Sequence, residues 1–480
     1  MKKILALVLL VATLFTCLGA LSSCGKGNDA SFVIPENGYD GSEVTIRFYH
    51  TMGSNLSTVL EAYITEFNKL YPNIHIEHEQ VGGYDDVRDQ INNELTVGNQ
   101  PNIAYCYPDH VAAYNLTKKV IVLDELIAST IEVTRADGTK EILGLTNEQK
   151  DDFIDGYYAE GAEFGDGKMY TLPLSKSTEV LYYNVDFFEE HELTVPTSWD
   201  EMEALLKKIK EIDPTSIPLG YDSESNWFIT MCEQLGTPYT SSTGNHYLFD
   251  TEENHEFIKR FSEWAALGYV TTQEIYGAYT SGLFVNTDAT KTRSYMSIGS
   301  SAGATHQRPA KDDATGEYPF EVGIAPIPQY NKENPKAISQ GPSLCIFNTG
   351  NDQEAVASWL FVKFLTTNVE FQAEFSMASG YVPVIESVKE NPTYAAFLAK
   401  ADGGAQIAAL SAKVCLENAD YYYTSPAFNG SSKARDMVGI IIQKCFTEIK
   451  TGTSDAEKDR IIAAAFKYAV DECEYFAPSN

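Results

Sequence analysis

Two hydrophobic periods follow one another between residues 44 and 77, and their order restricts the fold more than any other stretch. In VTIRFYH, Val44–His50, apolar and polar side chains alternate with the period of a half-buried strand. Leu56, Val59, Leu60, Tyr63, Ile64, Phe67 and Leu70 then recur on one helix face, and Pro72 stops that helix. Alternation resumes in IHIE from Ile74. Strand, helix and strand at this separation form a βαβ unit, which implies a parallel sheet with helices on its faces. Residues 103–107 read as a further buried strand, as does EVLYYN, Glu179–Asn184. PTSWDE opens a helix over 202–212, with Ser198 or Thr197 as N-cap and acids in the first turn. FEVGIAPIP from Phe320 reads as a strand ended by prolines, and 354–365 as a strongly apolar helix. The 480 residues suffice for two or three domains, and no internal repeat is visible.

The first residues are read as a leader outside the fold. Lys2 and Lys3 precede an apolar stretch over 4–16, the arrangement of an export signal. LSSC, ending at Cys24, resembles a bacterial lipobox, whose cysteine is lipidated and becomes the first mature residue. A plain secretory signal cleaved nearby is the alternative. The expected division is a signal peptide over 1–23 and a flexible, lipid-anchored tether over 24–41, rich in Gly, Asn and Asp. No later segment approaches the roughly 18 consecutive apolar residues of a membrane span.

The chain carries 35 basic and 67 acidic residues, a net charge of −32 without a long acidic block. Such a surface repels nucleic acid and anionic membrane, so no nucleic-acid partner is expected. Of eight cysteines, Cys17 lies in the leader, Cys24 is the lipidation candidate, and six are scattered without a C-x-x-C pair. That excludes a cysteine metal framework and leaves any disulfide pairing open. Cys345 and Cys445 sit in apolar runs and read as small buried residues. His75 and His78 are three apart on a strand and point to opposite faces, which is poor metal geometry. No metal and no cofactor is expected.

Residues 299–303 read GSSAG, the spacing of the turn that presents a nucleophilic serine in α/β-hydrolases. That chemistry needs an acid and then a histidine later in the chain. His306 is the last of eight histidines, five residues beyond Ser301 with no acid between them, so the order fails. The remaining readings are a strand ending at a helix N-terminus, where free N–H groups and the Ser300 and Ser301 hydroxyls hold hydroxyls or an anion, or a plain capping turn.

Three longer stretches carry a family likeness. They are TIRFYHTMGSNLSTVLEAYITEFNKLYPNIHIE, DGKMYTLPLSKSTEVLYYNVDFFEEHELTVPTSWDEM and EAVASWLFVKFLTTNVEFQAEFSMASGYVPV, in this order over most of residues 44–386. Together they resemble the extracellular solute-binding proteins of ABC importers, in the maltose-binding-like group. The nearest pattern is the glycerol-3-phosphate-binding branch, echoed by the HTM, SSAG and SGYVP segments. The resemblance implies an α/β, two-lobed periplasmic-binding-protein fold of type II, with the ligand cleft at the hinge. Lobe one would hold 42–170 and 326–382, and lobe two 171–325 and 383–480. Crossings would fall at the proline-bearing segments near 170–173, 325–328 and 380–383.

The same resemblance nominates ligand contacts. Tyr84 matches a contacting tyrosine after the second strand, and Asp109, with Tyr107 before it, stands after the third. Ser177 matches a serine contact; Lys176 beside it is outside the match but adds positive charge. Trp227 matches a tryptophan that stacks on ligand, and its alternative is a core position. Ser300 and Ser301 form the turn that faces ligand, Gly341 lets backbone approach it, and Tyr381 is a hinge tyrosine. Arg435 aligns with an arginine that grips phosphate, a task its planar fork suits.

The function implied is that of an exported, lipid-anchored capture protein on the outer face of the cell membrane. Its partners would be a small polar solute (sugar, oligosaccharide or glycerol phosphate), the transmembrane subunits of an ABC permease, and the membrane through the anchor. It would need no catalytic group. The alternative is a lipid-anchored secreted hydrolase, glycosidase-like, working with a carboxylate pair.

Overall fold

The computed structural model describes residues 32–475. The leader segment, Cys24 and the first part of the tether lie outside them. Ten of the strands form two five-stranded sheets: in chain order β1 (Val44–His50), β2 (Ile74–Gln80), β3 (Ile103–Cys106), β4 (Leu172–Pro173), β5 (Glu179–Asn184), β6 (Leu219–Tyr221), β7 (Val270–Thr272), β8 (Met296–Ser300), β9 (Val322–Pro326) and β10 (Ser343–Ile346). The first sheet runs β2-β1-β3-β10-β4, the second β9-β5-β8-β6-β7. β1 pairs in parallel with β2 and β3, as the βαβ reading requires. β10 returns antiparallel against both β3 and β4.

The helices that matter for the site are α1 (Ser54–Leu70), α2 (Tyr84–Val97), α3 (Pro108–Tyr114), α4 (Trp199–Ile212), α5 (Glu224–Leu235), α6 (Asp352–Thr367), α7 (Ile407–Glu417), α8 (Ser431–Glu448) and α9 (Asp455–Tyr475). α1 buries Leu60, Tyr63 and Phe67 against the first sheet's core, and it ends at Tyr71, just before Pro72. α4 starts where the sequence places its cap. The Ser198 hydroxyl accepts from Glu201 N at 3.3 Å, and the Glu201 carboxylate accepts from Ser198 N at 3.2 Å. α6 is apolar on nearly every face because the core surrounds it; Trp359, Phe361 and Leu365 are fully buried.

The chain passes between the sheets in three strands of backbone that lie side by side. Lys176 N donates to Val382 O at 3.0 Å and Val382 N to Lys176 O at 2.7 Å. Ser177 N donates to Gln340 O at 2.9 Å and Gln340 N to Ser177 O at 2.8 Å. This ribbon is narrow, so the two sheets are joined by few backbone bonds.

Three segments pack differently from the sequence expectation. Tyr39, inside the expected tether, is buried edge-on to Tyr71, and Gln353 brackets it, donating to Gly38 O and accepting from Asp40 N. The chain is therefore fastened before β1 begins. Residues 327–338 stay with the second sheet beyond the prolines, because Ile327, Ala337 and Ile338 join its core and Gln329 N donates to Thr197 O. Residues 384–388 pack on the first sheet's side instead. Ile154 N donates to Val384 O, Glu386 N donates to Asp152 O, and Val384, Ile385 and Val388 share a core with Phe371 and Phe375. The chain reaches the second sheet again near Gly403, whose carbonyl accepts from Val322 N.

Candidate ligand-binding cleft

Between the two sheets, in front of the ribbon, lies a cleft of about 950 Å³. Its first wall is aromatic. Tyr84 opens α2, because Gly83 ahead of it is extended and donates its N–H to the Asp86 carboxylate at 2.8 Å. The Tyr84 ring stacks on Tyr107 with centroids 4.4 Å apart and planes 22° apart, and Tyr105 lies behind it at 6.3 Å. Tyr84 and Tyr381 share a hydrogen bond between hydroxyls at 3.3 Å. His110 completes this side. It is 2% exposed and its Nδ1 has no partner among the described residues.

The opposite wall comes from the C-terminal ends of β6 and β8, the first residues of β5, and α8. Ser177 and Glu179 face the cleft from β5 and its approach. Glu179 is buried, and its carboxylate accepts from the Tyr221 hydroxyl at 2.6 Å. Burial pushes its carboxyl up to about 8, well above the usual range, so it holds its proton at neutral pH. Asp222 follows β6 and accepts from Thr280 N at 2.8 Å and Thr280 Oγ1 at 2.9 Å through one oxygen. Ser223, with φ +69, carries the chain into α5 through the left-handed region, which costs roughly 1–2 kcal/mol and turns Asn226 inward. Tyr279, Ser300, His306 and Gln307 line the outer part.

α8 spans the two walls. Arg435 sits 5.9 Å over the Tyr107 ring and has no hydrogen bond or ion pair among the described residues. One turn-edge further, Asp436 lies 3.7 Å from Arg88 on α2, which Asp85 and Asp89 also hold. Burial raises the Asp436 carboxyl to about 6 against the opposing pull of Arg88. These contacts hold α8 against the first wall.

Five of the nine nominated contacts line this cleft: Tyr84, Ser177, Ser300, Tyr381 and Arg435. Four do not. Trp227 is fully buried in the second sheet's core, stacked on Tyr221 at 4.4 Å and 8°, so its ring is unavailable to a ligand. Ser301 is also fully buried. Its hydroxyl accepts from Thr178 N at 3.2 Å and its own N–H donates to Thr178 O at 2.8 Å. Gly341 does permit a close approach, at φ +96, but the backbone it admits is the ribbon: a Cβ there would collide with the Ser175 carbonyl and Lys176 Cα. Asp109 lines a separate chamber of about 40 Å³ behind Arg435, with Glu160, Ser339 and Thr424.

Two further expectations change. Of the two readings of the GSSAG turn, the donor cradle gives way to the capping turn: Ser301 N is bonded to Thr178 O and Ala302 N to the Ser300 hydroxyl, so its first donors are committed internally. Lys176 adds no charge to the cleft. It is wholly buried and donates to Glu160 at 2.6 Å, and Glu160 accepts in turn from Ser339 and Thr424. The sequence reading missed Glu179, Asp222, Asn226, Gln307 and His110. Glu179, first in a buried strand, was the one legible signal: a carboxylate where an apolar residue is expected.

The six cysteines among the described residues are all buried and unpaired. His75 and His78 go to different partners, Glu43 at 3.2 Å and His50 at 2.9 Å.

A family profile described as bacterial extracellular solute-binding protein matches residues 62–401. The chain is 22% identical to a maltotriose-binding protein of Pyrococcus abyssi over 353 residues, 72% of this chain and 67% of that one. It is 24% identical to the sn-glycerol-3-phosphate-binding periplasmic protein UgpB of Salmonella typhimurium over 362 residues, 72% of this chain and 75% of that one. Against the Rhizobium meliloti counterpart the match spans 54% of that protein's length. Among solved structures, UgpB from Mycobacterium tuberculosis in complex with glycerophosphocholine superposes with a TM-score of 0.69 at 17% identity, covering 90% of this chain and 99% of that one. That likeness is one of fold: two lobes about a hinge.

Proposed function

Because the chain belongs to the bacterial extracellular solute-binding proteins, a family of exported capture proteins and not of enzymes, we propose that it traps a sugar or glycerol-phosphate-type solute by lobe closure and delivers it to an ABC permease. The observation that carries this is the cleft itself. It is about 950 Å³, sits at the hinge ribbon, and is lined by stacked tyrosines on one wall and polar groups on the other. A stacked aromatic pair suits the C–H face of a sugar ring, and the volume suits more than one ring. The unpaired Arg435 favours the second reading, a phosphate ester.

Lobe one would comprise residues 42–175 with 342–390, and lobe two 178–338 with 403–475, turning about Lys176–Ser177, Gln340 and Val382. The chain would be tethered to the outer face of the membrane through a lipid on Cys24. Radiolabelled palmitate incorporated into the exported chain and lost in Cys24→Ala is the expected result; equal labelling would refute the anchor.

Capture is tested by thermal unfolding of the exported full chain with malto- and xylo-oligosaccharides and sn-glycerol-3-phosphate. A ligand at a hundredfold excess over its dissociation constant adds about 2.7 kcal/mol and raises the melting temperature. The ligand should be recovered chemically unchanged. Turnover, or no shift with any of these solutes, would refute the reading.

A further inference from the structure

The second wall of the cleft carries buried acceptors that nothing among the described residues satisfies. Asn226 is 4% exposed and Gln307 3%, and Asn226 Oδ1 and Gln307 Oε1 are buried without a hydrogen-bond partner among the described residues. Both line the cleft. Asp222 uses one oxygen on Thr280; its other oxygen and the Gln307 amide converge over Gly299, where a Cβ would lie 3.0 Å from Asp222 Oδ2 and 3.3 Å from Gln307 Nε2. Glu179 accepts from Tyr221 on one oxygen and holds its proton, so Asp222 is the carboxylate of this wall; neither side chain is in an ion pair among the described residues. Arg435 is the cation whose field Glu179 feels. Across the cleft, His110 Nδ1 is likewise without a partner among the described residues.

A buried acceptor without a donor is costly, so what enters must bring donors. A hydroxyl donates one proton and accepts as well; a phosphate monoester dianion offers acceptor oxygens and negative charge. Against this wall it would meet the Asp222 carboxylate and the amide oxygens of Asn226 and Gln307. The donors that an anion would need in the GSSAG turn are already spent on Thr178 O and the Ser300 hydroxyl. We propose that Asp222, Asn226 and Gln307 form an acceptor wall that selects uncharged, hydroxyl-donating solutes and turns phosphate monoesters away. This rests on the capture reading and chooses between its two solutes: Arg435, beside the aromatic wall, then donates to a ring or bridging oxygen.

The test is calorimetric titration of the exported full chain with sn-glycerol-3-phosphate, for wild type and for Asp222→Asn. The wild type should bind it no better than millimolar, and the Asp222→Asn variant at least about tenfold more tightly. Micromolar binding by the wild type overturns the proposal and needs no variant to show it. An Asp222→Asn variant that folds, by circular dichroism, and still ignores the phosphate also overturns it. A glycan array probed with the same protein forms the second arm. Retention of a neutral oligosaccharide, weakened at least about tenfold by Asn226→Ala with Gln307→Ala, supports the wall. Preference for an amino sugar over its neutral counterpart refutes the uncharged clause. If no glycan is retained, the carbohydrate reading of the function fails, while the phosphate arm still decides whether anions are excluded.

Discussion

Trp227 and Tyr84 show how differently two aromatic residues with the same nomination behave. Trp227 packs on Tyr221, Phe261 and Phe446 with no exposed surface. Trp227→Ala should cost about 3–5 kcal/mol of stability, whereas Trp227→Phe should leave solute affinity unchanged in the same titration. Tyr84→Ala should reverse the pattern, with a small stability loss and an affinity loss of about 0.5–1.5 kcal/mol from the broken stack. A strand-and-helix pattern cannot separate these cases, because both rings stand in the first turn of a helix that follows a strand. Glu179 adds a pH signature. Its carboxyl rises from 4.5 unfolded to about 8 folded, chiefly through burial. The native state therefore binds the proton more tightly. Its stabilising contribution is full below pH 4.5 and is lost as pH rises towards 8, by up to roughly 1.4 kcal/mol per unit. Melting temperatures of wild type and Glu179→Gln across that window should converge at the acid end and separate at the alkaline end. Parallel curves would sink the assignment.

At the scale of elements, the ribbon and the GSSAG turn are where local pattern and final role part. The strand ending in Ser300 and the helical turn beyond it were legible, since alternation and a serine cap are local signals. That Ser301 faces inward, tied to Thr178, was not, because it depends on β5 lying alongside β8. The Glu160–Lys176 pair has the same character. It lies between the crossing segments, with Ser339 and Thr424 on the remaining carboxylate oxygen. Removing one charge, as in Lys176→Met, should cost about 3–5 kcal/mol in chemical denaturation, and Glu160→Gln added to it should recover a good part. Equal losses in single and double variants would deny the coupling. Cys345 illustrates a milder case: its apolar flanks predict burial, and the antiparallel pairing of β3 with β10 brings its thiol beside that of Cys106, with no disulfide between the two.

For the whole molecule, closure is carried by contacts that cross the cleft. Arg88 on α2 meets Asp436 on α8 at 3.7 Å, and Arg435 caps Tyr107. The Asp436 side chain is 45% exposed, so the pair is screened by solvent. Arg88→Ala should weaken solute binding by no more than about 1 kcal/mol, and the difference from wild type should shrink at high salt. A salt-independent loss would point to a structural role for Arg88 instead. The sequence by itself determined the α/β class, the βαβ opening, the caps and stops of its helices, and the residue types from which a cleft is made. These follow from hydrophobic period, capping chemistry and proline, which act within a turn or two of chain. Only the tertiary structure decided that Trp227, Ser301 and Gly341 serve the core and the ribbon, that 327–338 and 384–388 pack where they do, and that Glu179, Asp222, Asn226 and Gln307 share one wall. Those residues lie up to about a hundred and thirty positions apart and converge because β5, β6 and β8 are neighbours in one sheet. No local period encodes that adjacency.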